Sequence, residues 1–292
     1  MMKLAFVFPG QGSQAIGMGQ GFAEAYLDRA NEILGFDLKK ICLEGPEEEL
    51  KRTEIQQPAI FAVSVAALEL LISKGIRPAV VAGHSLGEYS ALYAAGVLSF
   101  EDGVKTVNLR GRFMQEAVPE GTGAMAAILG GERETVIKIC REIGNVWPAN
   151  FNSPGQVVIS GKKESVEQAG EKLKSAGVKR VIPLAVSAPF HCPLMKPAAD
   201  KLAGQLAKTS FNDARIPVYS NITAEPVTTG PEIRNLLVEQ VTGSVLWEDS
   251  VKNMIEGGVT KFIEVGPGKV LAGLIKKIDP NAEVKSFLET VD

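Results

Sequence analysis

The stretch from Ala79 to Ala95 constrains the fold more than any other. Ala79-Val80-Val81-Ala82 has strand character and Glu88-Tyr89-Ser90-Ala91-Leu92-Tyr93-Ala94-Ala95 has helical composition, so Gly83-His84-Ser85-Leu86-Gly87 must turn the chain between them. Such a short turn needs glycine where strand and helix backbones pass close, and glycines stand two before and two after Ser85. The G-x-S-x-G spacing predicts a strained elbow that pushes the Ser85 hydroxyl out at the end of a sheet, beside the amides and positive dipole end of the next helix. The same residues also fit a plain glycine-rich turn with a capping serine. The rest of the chain has to decide between nucleophile and cap.

Strands and helices alternate on both sides of the elbow. Leu4 to Phe8 reads as a buried strand, Pro9-Gly10-Gln11-Gly12-Ser13-Gln14 as a loop, and about Ala15 to Leu34 as a helix. That loop sits where open α/β sheets place ligands, and its glycines let backbone N–H groups approach one. Its spacing fits neither a phosphate loop nor G-x-G-x-x-G, and a plain connecting loop is the competing reading. An acidic helical turn starts at Gly45-Pro46-Glu47. Gln57-Pro58 then introduces a uniformly apolar helix from Ala59 to Ser73, read as packed on the sheet with proline at its first position. Ser99 is expected to cap another helix, whose first turn holds Glu101 and Asp102.

From Gly123 the pattern changes. Strand 124–129, helix 132–143, strand 146–150 with Pro148 marking an edge, strand 156–160, helix 163–176 and strand 179–186 follow in the order βαββαβ of a ferredoxin-like unit. Beyond it come a helix over 194–208, a strand over 216–220, helices over 232–241 and 247–256, a strand over 261–265 and a helix over 269–278. The expected architecture is an α/β-hydrolase-like large subdomain with a mainly parallel sheet, residues 1–122 and 188–292. Into it is inserted a ferredoxin-like small subdomain, residues 123–187.

A net charge of −3 with no basic stripe argues against nucleic acid and means that an anionic ligand would need a local cation. Cys42, Cys140 and Cys192 are far apart and lack metal-ligand spacing, so no metal is expected and all three read as reduced structural thiols. The first apolar run stops at Pro9-Gly10, too short for a signal or membrane segment, which gives a cytoplasmic address and no membrane as expectations.

A serine nucleophile needs a base, and the chain has two histidines. His84 adjoins Ser85, where side chains diverge, and reads as an elbow residue with a structural hydrogen bond. His191, in the loop Ser187-Ala188-Pro189-Phe190-His191-Cys192-Pro193, is left as the base. No acid between them has a distinctive setting, and a backbone carbonyl could orient the imidazole equally well, which favours a Ser-His dyad. Placed at about 100° per residue, Arg110 shares the inward arc of Val104, Val107, Gly111 and Met114, while Arg112 falls outside it. An inward arginine needs an anion: an internal carboxylate, or the carboxylate of a substrate.

The segments Gly10 to Gln14, Gly83 to Glu88, Arg110 to Ala117, Phe151 to Gly161, the Phe190-His191 pair and Glu264 to Leu271 resemble, in the same order, those of the malonyl-CoA:acyl carrier protein transacylase family. The resemblance implies ping-pong transfer of malonyl from malonyl-CoA to acyl carrier protein through Ser85, with His191 as base and acid. It also implies Arg110 as partner of the malonyl carboxylate and the backbone amides of Gln11 and Leu86 as an oxyanion hole. Phe190 resembles the malonyl-selecting version of its loop, and His84 joins the substrate-binding group. Leu246, where many relatives have glutamine, is expected to hold the histidine through its main-chain carbonyl. Coenzyme A enters only as the thioester substrate, no cofactor is implied, and a monomer is expected. Competing functions are a serine esterase or thioesterase, a non-catalytic domain that docks a carrier protein, and a polyketide-pathway acyltransferase acting in trans.

Overall fold

The computed structural model describes residues 3–186 and 188–291. In chain order its strands are β1 (Lys3–Phe8), β2 (Val80–Gly83), β3 (Gly123–Leu129), β4 (Val146–Ser153), β5 (Gln156–Lys162), β6 (Arg180–Pro183), β7 (Val218–Tyr219), β8 (Pro226–Val227), β9 (Val259–Glu264) and β10 (Glu283–Ser286). One sheet has the order β10-β9-β1-β2-β7-β8 and is parallel except for β8. The register sets Phe8 beside Gly83 and Val7 beside Glu264, so the carboxyl ends of β1, β2 and β9 emerge together. Ligand-binding loops of open α/β sheets collect at such an edge.

β3 to β6 form a separate antiparallel sheet, ordered β4-β5-β3-β6. The expected edge strand is β4, and Pro148 lies in it. Its free side meets the segment before the Trp247–Glu256 helix: Asn150 bridges Val245, and the Pro148 carbonyl accepts a bond from Ser244 Oγ at 2.7 Å. Proline can supply an acceptor there but no donor, which suits a margin position.

The Thr53–Ser73 helix lies in the main core, with Phe61, Val65 and Leu68 buried. It is long and apolar enough to span a membrane, yet 83% of its most apolar window is buried inside the protein. It starts at Thr53, before the Pro58 expected at its first position. Pro58 cannot donate to the Glu54 carbonyl one turn earlier, and Asn108 Nδ2 donates to it instead at 2.8 Å. The helix therefore continues through the proline. The Phe100–Gln115 helix crosses it closely: a Cβ on Gly111 would lie 2.6 Å from the Thr53 carbonyl. Ser99 caps that helix as its sequence suggests, accepting from the Asp102 amide.

The helix expected from Ala15 begins only at Glu24. Gly17, Gly19 and Gly21 all have φ between +84° and +87°, a conformation that breaks a right-handed helix into successive turns. The Leu38–Glu44 helix, β8, β10 and the Leu288–Val291 turn add elements that the sequence pattern leaves unassigned, and the expected 194–208 helix divides into a short 3₁₀ turn and a helix over Lys196–Leu206.

Candidate active site

The elbow packs as its glycines require. A Cβ on Gly83 would sit 1.9 Å from the Gly87 backbone, and one on Gly87 would sit 2.0 Å from the Phe8 carbonyl oxygen. Any side chain at either position would force strand and helix apart. Ser85 itself has φ of 52°, a strained conformation for a residue with a Cβ. Asn221, at the end of β7, straps the turn: its Oδ1 accepts from the Ser85 amide at 2.7 Å and its Nδ2 donates to the Gly83 carbonyl at 2.6 Å.

Ser85 Oγ lies 2.7 Å from His191 Nε2. His191 reaches it from its loop with φ of 59°, so both partners occupy the left-handed region. On the far side of the ring, Nδ1 donates to the Gln240 carbonyl at 2.8 Å, which leaves Nε2 as the acceptor for the serine proton. The main-chain carbonyl expected from Leu246 is thus that of Gln240. The Leu246 carbonyl instead accepts from the Ser250 amide and hydroxyl, starting the helix over Trp247–Glu256, and its side chain packs on the core of the antiparallel sheet. Gln240 is near the end of the Gly230–Thr242 helix, where carbonyls lose their intrahelical partners and are free to accept.

Arg110 is fully buried behind the serine. Its Nη1 donates to Gln57 Oε1 at 2.8 Å, and its Nη2 to Gln240 Oε1 at 2.9 Å and Ser85 Oγ at 3.1 Å. The Tyr89 ring lies 5.6 Å from its guanidinium carbon. All its partners are neutral. The ion-paired arginines among the described residues are Arg29, Arg52, Arg112 and Arg133. The internal-carboxylate reading of this inward arginine therefore does not hold: Glu88 is near enough to act through space, but its Oε2 accepts from Gln240 Nε2 at 2.7 Å and the Asn221 amide at 3.2 Å.

Burial and the Arg110 charge together pull the His191 pKa down to about 3, so the imidazole is neutral and able to take a proton. Burial also lowers that of His84 and raises that of Glu88 to about 7. Cys192 is buried, donates from Sγ to the Pro189 carbonyl at 3.1 Å, and has its pKa raised by burial, all of which fit a structural thiol.

The loop after β1 leans on the elbow. The His84 amide donates to the Phe8 carbonyl at 3.0 Å, and a Cβ on Gly10 would lie 2.5 Å from the His84 carbonyl. Gln11 follows, its side chain tied to Gln56 Oε1 at 2.6 Å. The backbone N–H groups of Gln11 and Leu86 are spent on no acceptor among the described residues. His84 turns toward the antiparallel sheet, pairing through Nε2 with Asn152 Oδ1 at 2.8 Å, with its ring 5.7 Å from that of Trp247. His84, Gln11, Asn152, Gln156 and Val270 line a cavity of about 120 Å³. Phe190 is packed in the main core, and Ser187 of the same loop lies outside the described residues.

Sequence reasoning missed Gln57, Asn221 and Gln240. Gln240 had a signal, because it continues the buried stripe Ile233, Leu236, Leu237 where an apolar residue belongs. Gln57 is likewise a fully buried polar side chain, at the head of the apolar run that starts at Ala59. Asn221 had none.

Residues 5–287 match the acyl transferase domain family. The chain is 52% identical to the malonyl CoA-acyl carrier protein transacylase of Escherichia coli K12, over 95% of this chain and 93% of that protein. An acyl carrier protein S-malonyltransferase from Vibrio cholerae O1 superposes with a TM-score of 0.96 at 48% identity, covering 99% of this chain and all of the other. A malonyl-transacylase solved in complex with its type II polyketide synthase acyl-carrier protein superposes with a TM-score of 0.94 at 47% identity, over 97% and 94% of the two chains.

Proposed function

This chain belongs to the acyl transferase family, and from that premise we infer that it transfers malonyl from malonyl-CoA to the phosphopantetheine thiol of acyl carrier protein through an ester on Ser85. The observation that carries the choice of acyl group is Arg110, a buried cation with only neutral partners, one nitrogen of which touches the nucleophile. A carboxylate placed two bonds beyond the thioester carbonyl supplies the missing anion. An acetyl group leaves the cation unpaired, at a cost of about 1–3 kcal/mol or more for a buried charged group.

In the first half-reaction His191 Nε2 takes the Ser85 Oγ proton as Oγ bonds to the thioester carbon and the carbonyl π pair moves onto oxygen. The amides of Gln11 and Leu86 receive that oxyanion. The Nδ1–H bond to Gln240 holds the ring, and the negative end of the Gly230–Thr242 helix favours the imidazolium. As the C–S bond breaks, the coenzyme A sulfur leaves with the proton from Nε2. In the second half His191 takes the proton of the carrier thiol, sulfur attacks the ester carbon, and Ser85 leaves and is reprotonated. The dyad needs no third carboxylate, because the backbone carbonyl fixes the tautomer.

The same reading treats residues 1–122 and 188–292 as an α/β-hydrolase-like body and 123–187 as a ferredoxin-like insert, supported by the two strand orders. It also treats the chain as a cytoplasmic monomer without resident cofactor or metal. His84 shapes the substrate cavity with Asn152, and Phe190 keeps the loop of the base packed. Intact-protein mass spectrometry after mixing with malonyl-CoA should show one malonyl group, mapped to Ser85 and removed by added acyl carrier protein. No adduct sinks the transferase mechanism, and rapid release of free malonate indicates a hydrolase.

A further inference from the structure

Within the site the guanidinium of Arg110 does two things against the chemistry. Its Nη2 donates to Ser85 Oγ at 3.1 Å, engaging a lone pair of the atom that must attack. It also stands one hydroxyl away from the imidazole that must become a cation, since Oγ lies 2.7 Å from His191 Nε2. Gln240 ties the two together, with Oε1 on Arg110 and its main-chain oxygen on His191. Neither effect is offset by an ion pair, because the partners of the guanidinium are Gln57, Gln240 and Ser85.

We propose that the substrate's own carboxylate switches the dyad on: by pairing with Arg110 it draws the guanidinium off Ser85 Oγ and cancels the positive charge that restrains His191. Arg110 then selects malonyl in the chemical step as well as in binding. An acyl group without a carboxylate meets a serine still hydrogen-bonded to a cation and a base still weakened by it. The inference rests on the malonyl reading of the site and deepens it.

The other charged or titratable groups around the pair leave this arrangement in place. Glu88 and Tyr89 face Arg110 from the helix after the elbow, with Glu88 bonded to Gln240 and Asn221, and His84 faces His191 from the elbow. Burial keeps Tyr89 protonated, its pKa pushed up to about 12, and disfavours charge on His84. At an effective dielectric of about 20, a unit charge one hydroxyl away moves an imidazole pKa by about 2 units. Burial is the larger cause of the His191 depression and the Arg110 charge the next, so pairing Arg110 lifts the second cause and leaves the first. By Brønsted behaviour a base stronger by that amount accelerates proton transfer on the order of tenfold.

Single-turnover acylation of Ser85 at saturating thioester tests this with malonyl-CoA, acetyl-CoA and acetoacetyl-CoA, the last a neutral near-isostere of the first. In the unaltered protein the limiting rate with acetoacetyl-CoA should be at least about tenfold below that with malonyl-CoA. Equal limiting rates overturn the switch. Arg110→Met should raise the limiting rate with acetyl-CoA about tenfold while lowering that with malonyl-CoA. A clamp that only binds would change half-saturation and leave the acetyl limiting rate unmoved or lower, and that result also overturns the proposal. The acetoacetyl comparison needs no variant, so it decides the matter even if Arg110→Met fails to fold. Absence of any malonyl adduct on Ser85 is a separate result, which defeats the malonyl reading itself.

Discussion

The two sheets serve the site in different ways. The parallel sheet sends several chain segments to one edge: the loop with Gln11 after β1, the elbow with Ser85 after β2, and Ser220-Asn221 after β7. Parallel strands end on the same side, so their loops converge. Neighbouring strands of the antiparallel sheet end on opposite sides, and it reaches the elbow through the strand residue Asn152, bonded to His84. It grips the larger part through β4 and through Arg133, which pairs with Asp249 at 2.8 Å and lies 4.0 Å over the Phe151 ring. Arg133 and Arg110 sharpen the contrast. Both lie near an aromatic ring, yet the half-buried one has its carboxylate and the fully buried one has none among the described residues.

If chemistry belongs to the parallel sheet and support to the other, substitutions should sort accordingly. Ser85→Ala should lower transfer by about 10³-fold or more with the fold intact, measured as carrier-protein malonylation beside a melting curve. Retained turnover would move the chemistry elsewhere. Gly87→Ala should cost about 3 kcal/mol or more in urea unfolding, because its Cβ would overlap the Phe8 carbonyl. Gly121→Ala, at a positive φ with nothing near it, should cost about 1 kcal/mol, from backbone strain alone. Asn152→Ala leaves His84 Nε2 without its partner and should destabilise by about 1–2 kcal/mol, with a fall in acylation well short of that of Ser85→Ala. An equal fall would break the division between the sheets.

A pH series probes the buried groups under the elbow. His191 has a folded pKa of about 3 against about 6.5 unfolded, so its contribution to stability is complete above the higher value and is lost as pH falls toward the lower. Glu88 runs the other way: raised from 4.5 to about 7, it stabilises below 4.5 and loses that contribution as pH rises through 7. The two oppose each other between pH 4.5 and 6.5, where both windows overlap. Glu88→Gln should therefore make stability climb more steeply with pH in that window, by up to about 1.4 kcal/mol per pH unit, read from urea midpoints. An unchanged slope would mean that Glu88 is ionised throughout. The smallest effect is expected from Arg133→Ala, about 0.5 kcal/mol of stability with acylation unchanged, since that pair is partly solvated.

Much of the site could be read before the fold was known. Glycine spacing marked Ser85, elimination among two histidines left His191, and the helical arc turned Arg110 inward and Arg112 outward. The failures have physical causes. The pattern runs a helix through Gly17, Gly19 and Gly21 because composition does not reveal a run of positive φ angles. Pro58 reads as a helix start because the side chain that relieves it, Asn108, is 50 residues away. The resemblance points to Leu246 for the carbonyl that Gln240 supplies, and periodicity cannot correct it, because a main-chain carbonyl carries no side-chain signature.

The elbow, the alternation that builds the parallel sheet, the switch to an antiparallel unit near Gly123 and the inward face of Arg110 are all written in the order of the residues. These depend on local sterics and periodicity, which neighbouring residues encode. That His191 leans on the Gln240 carbonyl, and that the hydrogen-bond partners of Arg110 among the described residues are all neutral, emerges with the assembled fold. A cation's lack of a counter-ion is a property of every element packed around it, here the helices carrying Gln57, Tyr89 and Gln240, and such a property exists only once those elements are assembled.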